Sequence, residues 1–475
     1  MRAGKARWRP NVFAGFLLCY SWLCSCSEQI TVPNVPLKLL KGHAEELSVW
    51  PSKDFDFDWV TLHEALIIAK EQDRPLLYYI AAPGCDGLFE NPSLFLRALI
   101  EKKFVSVRIN PFVYPEWVDR LSAIGCPALI NALPDGRVFS RATDIPKNNV
   151  EPYLLRIHNV FKKGKNRLLT KVNQETKEVP RKYSTKELLE YFMASFDMEN
   201  KGLFGPQKFS HATALRFLYR TGNSKAIEFV EETVDVLVAS PLWEDGSFRL
   251  FSYSPDWNHP SPERDVIDQV EIVDLLIALE RWVLVEKWVA YVKDSLTNNT
   301  DGALYGRQLL SNDGKWWTDP NIYVDRMASL ILRLIEVSEK RNNPLAHKLA
   351  SEGIKYLLNE CVDQSGGVRH VCNGPGSVQL STDQTLVALT LSAWSNASHD
   401  KSLSQLAEKI LKIGIKKKHT EIDDMGLVYA AYWYWNYGDK TRAEQLINWA
   451  TYNNGEIRQA ALWGLLDLRY GELNW

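Results

Sequence analysis

The chain of 475 residues carries 56 basic and 58 acidic side chains, so its formal net charge is only −2. This near-neutral balance excludes the strongly basic surface that nucleic-acid binding requires. Apolar residues make up 45% of the chain, enough for the cores of two or three domains. The 17 Trp and 19 Tyr residues are an excess typical of carbohydrate sites and protein interfaces, with a large helical core as the alternative.

The first 26 residues have the pattern of a signal peptide. Residues 2–9 are basic, and the apolar run 12–23 that follows is too short to span a bilayer. The sequence Leu23-Cys24-Ser25-Cys26 resembles a bacterial lipobox with Cys26 as the lipidated residue. We therefore predict export, as a periplasmic or outer-membrane lipoprotein if the chain is bacterial, with no membrane contact beyond this N-terminal lipid or signal anchor. A plain secretory signal and an uncleaved anchor are the alternatives.

Four cysteines lie outside the predicted leader, and an even number in an exported protein permits disulfide bonds. Cys361 and Cys372 flank the pair Gly366-Gly367, so a disulfide between them would close a short hairpin. Two unrelated buried thiols are the alternative for this pair.

Residues 51–165 predict an α/β domain, preceded by a Pro-, Lys- and Glu-containing linker at 27–50. A strand–helix–strand unit is followed by a strand that enters a Pro-Asp-Gly turn, and a helix closes the domain. A basic stretch at 166–181 predicts a second linker. The predicted elements are helices at 61–72, 94–103 and 150–162 and strands at 75–81, 104–109 and 128–132.

From residue 182 to the end the pattern is helical, and Ser184 and Glu187 form a capping box at its start. Roughly twelve helices are joined by alternating short and long loops, and the long loops are rich in Trp, Gly and Asp. Helical hairpins repeated in this way predict a closed (α/α)6 toroid over residues 182–475, with its long loops gathered at one mouth. The apolar stretch 427–435 is predicted to be an inner helix of the ring.

Cys85 follows a predicted buried strand in a loop that leads to a helix, the position of the nucleophile in a thioredoxin fold. Cys126-Pro127 precedes a later strand, where that fold keeps a cis-proline facing the thiol. The second cysteine of a Cys-x-x-Cys motif is replaced by Leu88, which cannot resolve a mixed disulfide. Three interpretations remain open: a non-catalytic module, a Cys85–Cys126 disulfide, and thiol chemistry at Cys85.

The helical domain carries polar and aromatic side chains at the ends of its predicted elements. Glu263 and Asp268 lie near the start of one predicted helix, where they could simply cap it. Paired carboxylates across a cavity could instead perform acid–base catalysis on a sugar. Because these two residues are about 140° apart around a helix, a catalytic pair would have to combine different hairpins. The predicted ligand-binding set is Lys208, Trp257, Gln269, Tyr305, Asp319, Asn321 and Asp383.

One loop carries a distinctive pattern made of Gly246, Phe248, Ser252, Trp257, Pro260, Glu263, Asp268 and Gln269. This pattern resembles the YyaL-type proteins, which include the spermatogenesis-associated thioredoxin-domain proteins. The resemblance extends over residues 51–475 and implies a thioredoxin-like domain followed by an (α/α)6 toroid of the six-hairpin glycosidase type. It places Cys85 and Asp383 on positions that the family also uses.

The chain departs from this family at the positions best suited to chemistry. The two histidines of the family pattern are replaced by Arg249 and Ser261, and an aspartate is replaced by Ser254. Loss of both imidazoles removes the groups best suited to proton transfer near neutral pH. We therefore interpret this loop as part of a degenerate active site.

We accordingly predict a binding protein with a degenerate site and a carbohydrate or protein ligand, and we predict no cofactor and no metal. The alternative is a carbohydrate-active enzyme, a hydrolase or an epimerase, that uses Glu263 and Asp268 as its catalytic carboxylates. A second alternative is a thiol redox protein that acts through Cys85. The sequence leaves open whether the protein is an enzyme.

Overall fold

The computed structural model describes residues 54, 57–121, 125–143, 145–173, 184–205, 207–311, 313–374, 379–415, 424–438 and 440–449. The predicted signal peptide with Cys26, the linker at 27–50 and residues 450–475 lie outside the described residues.

The N-terminal part is a four-stranded mixed sheet in the order β2-β1-β3-β4. Strands β1 and β2 pair in parallel and are connected through helix α2, whereas β3 pairs antiparallel with β1 and β4 antiparallel with β3. The strands are β1 Leu76–Ile80, β2 Val105–Ile109, β3 Ala128–Ala132 and β4 Val138–Thr143. The helices are α1 Leu62–Gln72, α2 Leu94–Lys103, α3 Pro115–Leu121 and α4 Lys147–Asn173.

Every residue of β1 is buried because helices cover both faces of the sheet. Leu77 and Tyr79 point into the core shared with α2 and α4, and the alternate residues Tyr78 and Ile80 point into the core that includes residues of α1 and α3. This alternation is the period of two that a strand imposes. Because β1 and β2 run parallel, the loops that follow them leave the sheet at the same edge.

The closing helix α4 is longer than the sequence pattern predicts. It runs to Asn173 with a kink at Gly164, so the first eight residues of the predicted linker at 166–181 are helical. The prediction was wrong there because a basic, polar sequence is compatible with a helix as well as with a linker.

The C-terminal part consists of helices in two layers. Helices α6, α8, α10, α12 and α14 pack on one another in succession, and each also packs on the helix that follows it. This is the arrangement of helical hairpins in an (α/α) toroid. The helices are α5 Thr185–Ala194, α6 Ala212–Arg220, α7 Ser224–Ala239, α8 Val266–Ala278, α9 Trp282–Tyr291, α10 Val324–Arg341, α11 Pro344–Tyr356, α12 Ser381–Ser398, α13 Lys401–Ile415, α14 Asp424–Tyr437 and α15 Lys440–Trp449.

Burial distinguishes the two layers. Helix α12 is buried almost all round from Ser381 to Ser395, whereas its partner α13 buries only one face through Ala407, Ile410 and Leu411. A helix that is covered on all sides belongs to an inner layer, and an amphipathic one to the surface. The stretch 427–435 lies in α14, which packs against α12 as an inner helix does.

In the described part of the chain, four long loops lead into helices α6, α8, α10 and α12. They lie side by side because each pairs with the next, through Lys208 with Ser252, Asp265 with Arg307, and Tyr323 with Val371. Each begins with a tight pairing of its two arms, namely Phe196 with Leu203, Trp243 with Phe248, Thr297 with Leu304 and Val362 with Val368. Short strands continue the loops, namely β5 Lys208–Phe209, β6 Trp243–Glu244, β7 Ser247–Phe248, β8 Phe251–Ser252, β9 Glu263–Asp265, β10 Arg307–Leu310 and β11 Trp316–Thr318.

Two of these loops are preceded by an irregular turn. Helices α9 and α11 end in single π-helical turns, Val292–Leu296 and Leu357–Cys361. Strands β9, β10 and β11 then form a three-stranded antiparallel sheet in the order β11-β10-β9. In the described part of the chain no helix has both the length and the apolar content to cross a bilayer.

Candidate functional site

The candidate site lies where the loops after β1 and β2 meet the loop end of the helical ring, and Phe112 is at its centre. Phe112 belongs to the turn after β2, which is closed by hydrogen bonds from the N–H groups of Phe112, Val113 and Tyr114 to Asn110. The carboxyl ends of neighbouring parallel strands lie at one edge of a sheet. The turn after β1 therefore approaches the ring as well, and a Cβ on Gly84 would lie only 2.7 Å from Leu309 of β10.

The ring of Phe112 is covered by two buried guanidinium groups. The Arg307 guanidinium carbon lies 4.0 Å from the ring centroid and that of Arg326 lies 5.2 Å from it. Both distances are in the range of a cation–π interaction, which gains strength when the cation is withdrawn from water. The N-terminal part thus contributes an aromatic ring to the polar interior of the loop cluster, which we call the mouth: Phe112, Glu263, Asp265, Arg307, Asp319, Tyr323, Asp325, Arg326, His370 and Asp383.

Carboxylates neutralise both arginines. Arg307 donates to Glu263 at 2.8 Å, and Arg326 donates to Asp265 through Nε at 3.1 Å and Nη2 at 3.0 Å. Arg326 also bonds Asp325 at 2.9 Å. Burial raises the pKa of Asp325, but Arg326 and the neighbouring His370 outweigh burial and lower it. Each of these arginine and carboxylate side chains is therefore paired within the protein itself.

His370 joins the helical ring to the N-terminal part through both of its ring nitrogens. Nδ1 lies 2.9 Å from Oδ2 of Asp383, and Nε2 lies 3.0 Å from the carbonyl oxygen of Phe112. Both partners are acceptors, so both nitrogens carry hydrogen only in the imidazolium form. Burial lowers the pKa of His370, but the carboxylates of Asp383 and Asp325 outweigh it and raise the pKa to about 9.

Two further predicted residues lie at the mouth, on the loop that precedes α10. Asp319 accepts hydrogen bonds from the Tyr323 hydroxyl at 3.1 Å and from the Asn321 side chain at 2.8 Å. Burial and the nearby Asp319 carboxylate raise the pKa of Tyr323. The aromatic ring of Tyr323 lies 6.3 Å from that of Phe112, so Asp319 borders the same cluster.

Lys208 and Trp257 belong to a separate buried cluster. Lys208 bonds Asp197 at 2.7 Å and the Leu203 carbonyl at 3.0 Å, and the Trp257 indole N–H donates to the Asn200 carbonyl at 2.7 Å. Lys208 is fully buried and Trp257 is 1% exposed. Their contacts hold the first long loop in place, and both are closed to a ligand in this conformation, contrary to the predicted binding role.

The structure also places the predicted catalytic pair differently from the sequence pattern. Glu263 lies on β9 and not in a helix, because residues 263–265 pair with β10; α8 begins at Val266 with Asp265 as its N-cap. Asp268 is in the first turn of α8, Gln269 is buried on the same helix, and Tyr305 packs against the main helical core.

The thiol region is closed. Cys85 and Cys126 form a disulfide with Cα atoms 5.5 Å apart, and the Cys126–Pro127 peptide is cis. Leu88 is buried in the core beside α2 and α4. Cys361 and Cys372 form a second disulfide, with Cα atoms 4.6 Å apart, and this bond clamps the short arm that carries His370.

Three mouth residues are close enough together to suggest a metal site. Ligand atoms of Asp325, His370 and Asp383 lie within 4.8 Å of one another. However, Arg326 holds Asp325, and His370 is an imidazolium with both nitrogens directed at acceptors. A metal needs neutral imidazole as a ligand, so these residues do not fit one.

Sequence reasoning missed most of the residues that organise the mouth: Phe112, Arg307, Tyr323, Asp325, Arg326 and His370. It named Asp265 only as a residue that opens a helix, and Asp265 is the N-cap of α8. One signal was available for Phe112, because the Asn-Pro turn at 110–111 follows the second parallel strand, where ligand sites of α/β sheets lie. For His370 no local signal exists, since its partners come from residues 112 and 383.

No protein-family model matches the chain, and no curated protein matches it. Several solved structures are similar to part of it. A cellobiose 2-epimerase from Bacillus thermoamylovorans has 11% identity and a TM-score of 0.47, covering 60% of this chain and 98% of its own. A glycoside hydrolase family 76 mannosidase from Bacteroides thetaiotaomicron has 12% identity and a TM-score of 0.45, covering 61% of this chain and 98% of its own. At such values the likeness establishes neither a shared family nor a shared activity.

Proposed function

We propose that this protein is an exported ligand-binding protein in which a thioredoxin-like module caps the mouth of an (α/α)6 toroid, and that its ligand is a carbohydrate. The observation that carries the proposal is the position of Phe112. Its ring lies against Arg307 and Arg326, and its carbonyl accepts from His370. The space where a substrate would meet these polar groups is taken by the chain itself.

The N-terminal sheet supports the assignment to a thioredoxin-like module. Its cis-proline and the position of Cys85 after β1 are features that the sequence analysis expects of a thioredoxin fold. The disulfide joins Cys85 to Cys126 and not to a residue three positions away, so the module lacks the dithiol motif of an oxidoreductase. We therefore propose a structural role for it.

The electrostatics of the mouth favour binding over catalysis. A general acid or base needs a carboxyl group that reaches the substrate with a free proton position. Glu263 is instead held by Arg307, Asp265 and Asp325 by Arg326, and Asp383 by His370. Removal of any one partner would leave a buried charge, which is costly, so this network acts as a scaffold.

Export is part of the proposal. The two disulfides fit a compartment that keeps cysteines oxidised, such as a periplasm or an extracellular space. The lipid anchor at Cys26 remains a proposal that mass spectrometry of the processed N-terminus can test.

The experiment that tests the function is a paired screen of the purified mature chain. Each of a panel of oligosaccharides is tested for turnover by chromatography and for binding by thermal shift, because a ligand that binds the folded state raises its melting temperature. We expect stabilisation by at least one sugar with no product formed. Turnover of a glycan that is abolished in Glu263→Gln and kept in the surface control Asp313→Asn would overturn the proposal.

The second candidate function is a carbohydrate-active enzyme whose cap opens. The observation in its favour is the ion pair of His370 and Asp383 beside Phe112, since an imidazolium is a competent proton donor once water and substrate reach it. If this candidate is correct, Phe112→Gly should gain turnover of a glycan and Phe112→Gly with Asp383→Asn should lose it again. If Phe112→Gly stays inactive on every glycan that binds, the binding function stands.

A further inference from the structure

We propose that a groove on the opposite side of the β9–β10–β11 sheet from the mouth is a binding site for neutral oligosaccharides, with Trp243 and Trp316 in its walls. This inference rests on the proposed ligand-binding function and places the ligand at a particular surface. The groove has a volume of about 570 Å³ and is open to solvent. That volume lies within the range of roughly 300–1,000 Å³ that small-molecule sites occupy.

Strand β9 separates the groove from the mouth. The first and third residues of this strand, Glu263 and Asp265, point to the mouth and pair with Arg307 and Arg326, respectively. The residue between them, Arg264, points to the groove, as the period of two in a strand requires. The groove therefore has its own side chains, and Phe112 does not fill it.

The wall of the groove is a stack of planar groups. The Arg264 guanidinium lies over the Trp316 ring at 3.7 Å from its centroid and donates to Glu244 at 2.8 Å. Arg249 also donates to Glu244, at 2.9 Å, and lies 5.1 Å from the Trp316 ring. Glu244 thus fixes two guanidinium groups that hold Trp316 in place. Trp243, the other indole of the wall, is half-buried, and its ring lies 4.4 Å from that of Phe248. Because Arg264 already lies over the Trp316 ring, Trp243 is the indole on which we expect the apolar face of a sugar ring to stack.

The floor is shaped by an irregular helix end and by a missing side chain. Asp294 and Ser295 lie in the π turn that ends α9, an irregularity often found at functional sites. Gly246 lines the groove with φ +85°, and a Cβ there would lie 2.4 Å from the Lys287 carbonyl oxygen. The loop can therefore approach α9 this closely only with glycine at position 246.

The charges of the groove favour a neutral ligand. Arg264 and Lys287 contribute two positive charges, and Asp245 and Asp294 contribute two negative ones. Arg264 is further neutralised by Glu244. A phosphate or a polycation would meet repulsion at half of these groups, whereas sugar hydroxyls both donate and accept hydrogen bonds and suit a groove that carries both signs of charge. Tyr291, whose hydroxyl donates to Gln308 at 2.6 Å, adds another aromatic edge.

The test is calorimetric titration of the intact mature chain with neutral malto-, cello-, xylo- and mannooligosaccharides. We expect at least one to bind and its affinity to fall about tenfold or more in Trp243→Ala, because a stacked ring is lost. Trp243→Phe should retain most of the affinity. Trp282→Ala, which removes an indole on the outer helix α9 at a site 5.1 Å from Arg341 and outside the groove, should leave it unchanged.

A second variant keeps the test valid if a tryptophan substitution disturbs folding. Ala290 is exposed in the groove, so Ala290→Trp fills it without removing a core contact, and we expect binding to be lost while the melting temperature is kept. If a sugar still binds both Trp243→Ala and Ala290→Trp, the groove is not its binding site, and the proposed binding function is unaffected. If no sugar of the panel binds the unmodified chain, both the proposed binding site in the groove and the proposed carbohydrate ligand are wrong.

Discussion

His370 is a buried charged residue that links the helical part of the chain to the N-terminal part. It bonds Asp383 within the helical ring and the Phe112 carbonyl across the domain contact. Its ring is 2% exposed, so its charge is paired and shielded from salt. A buried imidazolium of this kind couples protonation to the docking of the two parts.

The stability of the protein should depend on pH through His370. Folding raises the pKa of His370 from 6.5 to about 9, so its contribution is complete below about pH 6.5 and is lost as the pH rises through 9. The shift corresponds to about 3 kcal/mol of unfolding free energy. Urea unfolding at pH 6.5 and at pH 9.5 measures the loss, and we expect His370→Gln to remove most of this difference.

The matched control is His347→Gln on α11, where the histidine is exposed. This variant should keep the pH dependence of the unmodified protein. An unmodified protein that is as stable at pH 9.5 as at pH 6.5 would contradict the assignment of the charged form.

At the scale of elements, the long loops at the mouth share one local structure. Each long loop starts with paired arms, as Trp243 pairs with Phe248 and Thr297 with Leu304. Glycines with positive φ, Gly246 at +85° and Gly302 at +80°, make these tight turns. Such turns direct the remainder of each loop over the ends of the inner helices, where the strands β9 and β10 place their charged residues.

Replacement of Gly246 tests this local structure. Gly246→Ala must adopt a left-handed backbone and also places Cβ 2.4 Å from the Lys287 carbonyl oxygen, so we expect a loss of about 3 kcal/mol or more in unfolding free energy. The control is Gly222→Ala, which has φ +69° and open space around its Cβ. Gly222→Ala should lower the unfolding free energy by only about 1–2 kcal/mol, which is the cost of a left-handed backbone for a residue that has a Cβ. Equal losses in guanidinium unfolding would show that the contact with α9 carries no strain.

At the scale of the whole molecule, each of the two parts carries one disulfide near the mouth. Cys85–Cys126 closes the loop after β1, and Cys361–Cys372 clamps the arm that carries His370. Their Cα separations of 5.5 and 4.6 Å lie within the range that a disulfide accepts. The loop after β1 and the arm that carries His370 are therefore each constrained by a disulfide within their own part of the chain.

Native alkylation followed by peptide mapping tests this arrangement. We expect iodoacetamide to label none of these four cysteines in the untreated protein, and the linked peptides to join 85 with 126 and 361 with 372, since a bonded sulfur is not a nucleophile. A control with reductant should label all four. Rapid labelling of Cys85 without reductant would instead support the thiol redox alternative.

Much of the local structure follows from the sequence. The buried strand β1, the helix α2 and the capping box at Ser184 depend on neighbours in the chain, so a single sequence predicts them. The end of α4 was predicted too early because a basic, polar sequence fits a helix or a linker equally well.

The mouth was decided by the tertiary structure alone. The sequence determined that carboxylates, tryptophans and four cysteines lie in loops at the ends of predicted elements. It could not show that Glu263 faces Arg307, that His370 bonds Asp383, or that Phe112 lies between them. These partners are between 13 and 258 positions apart, and a charge has no preference for a partner until packing excludes water and fixes the distance.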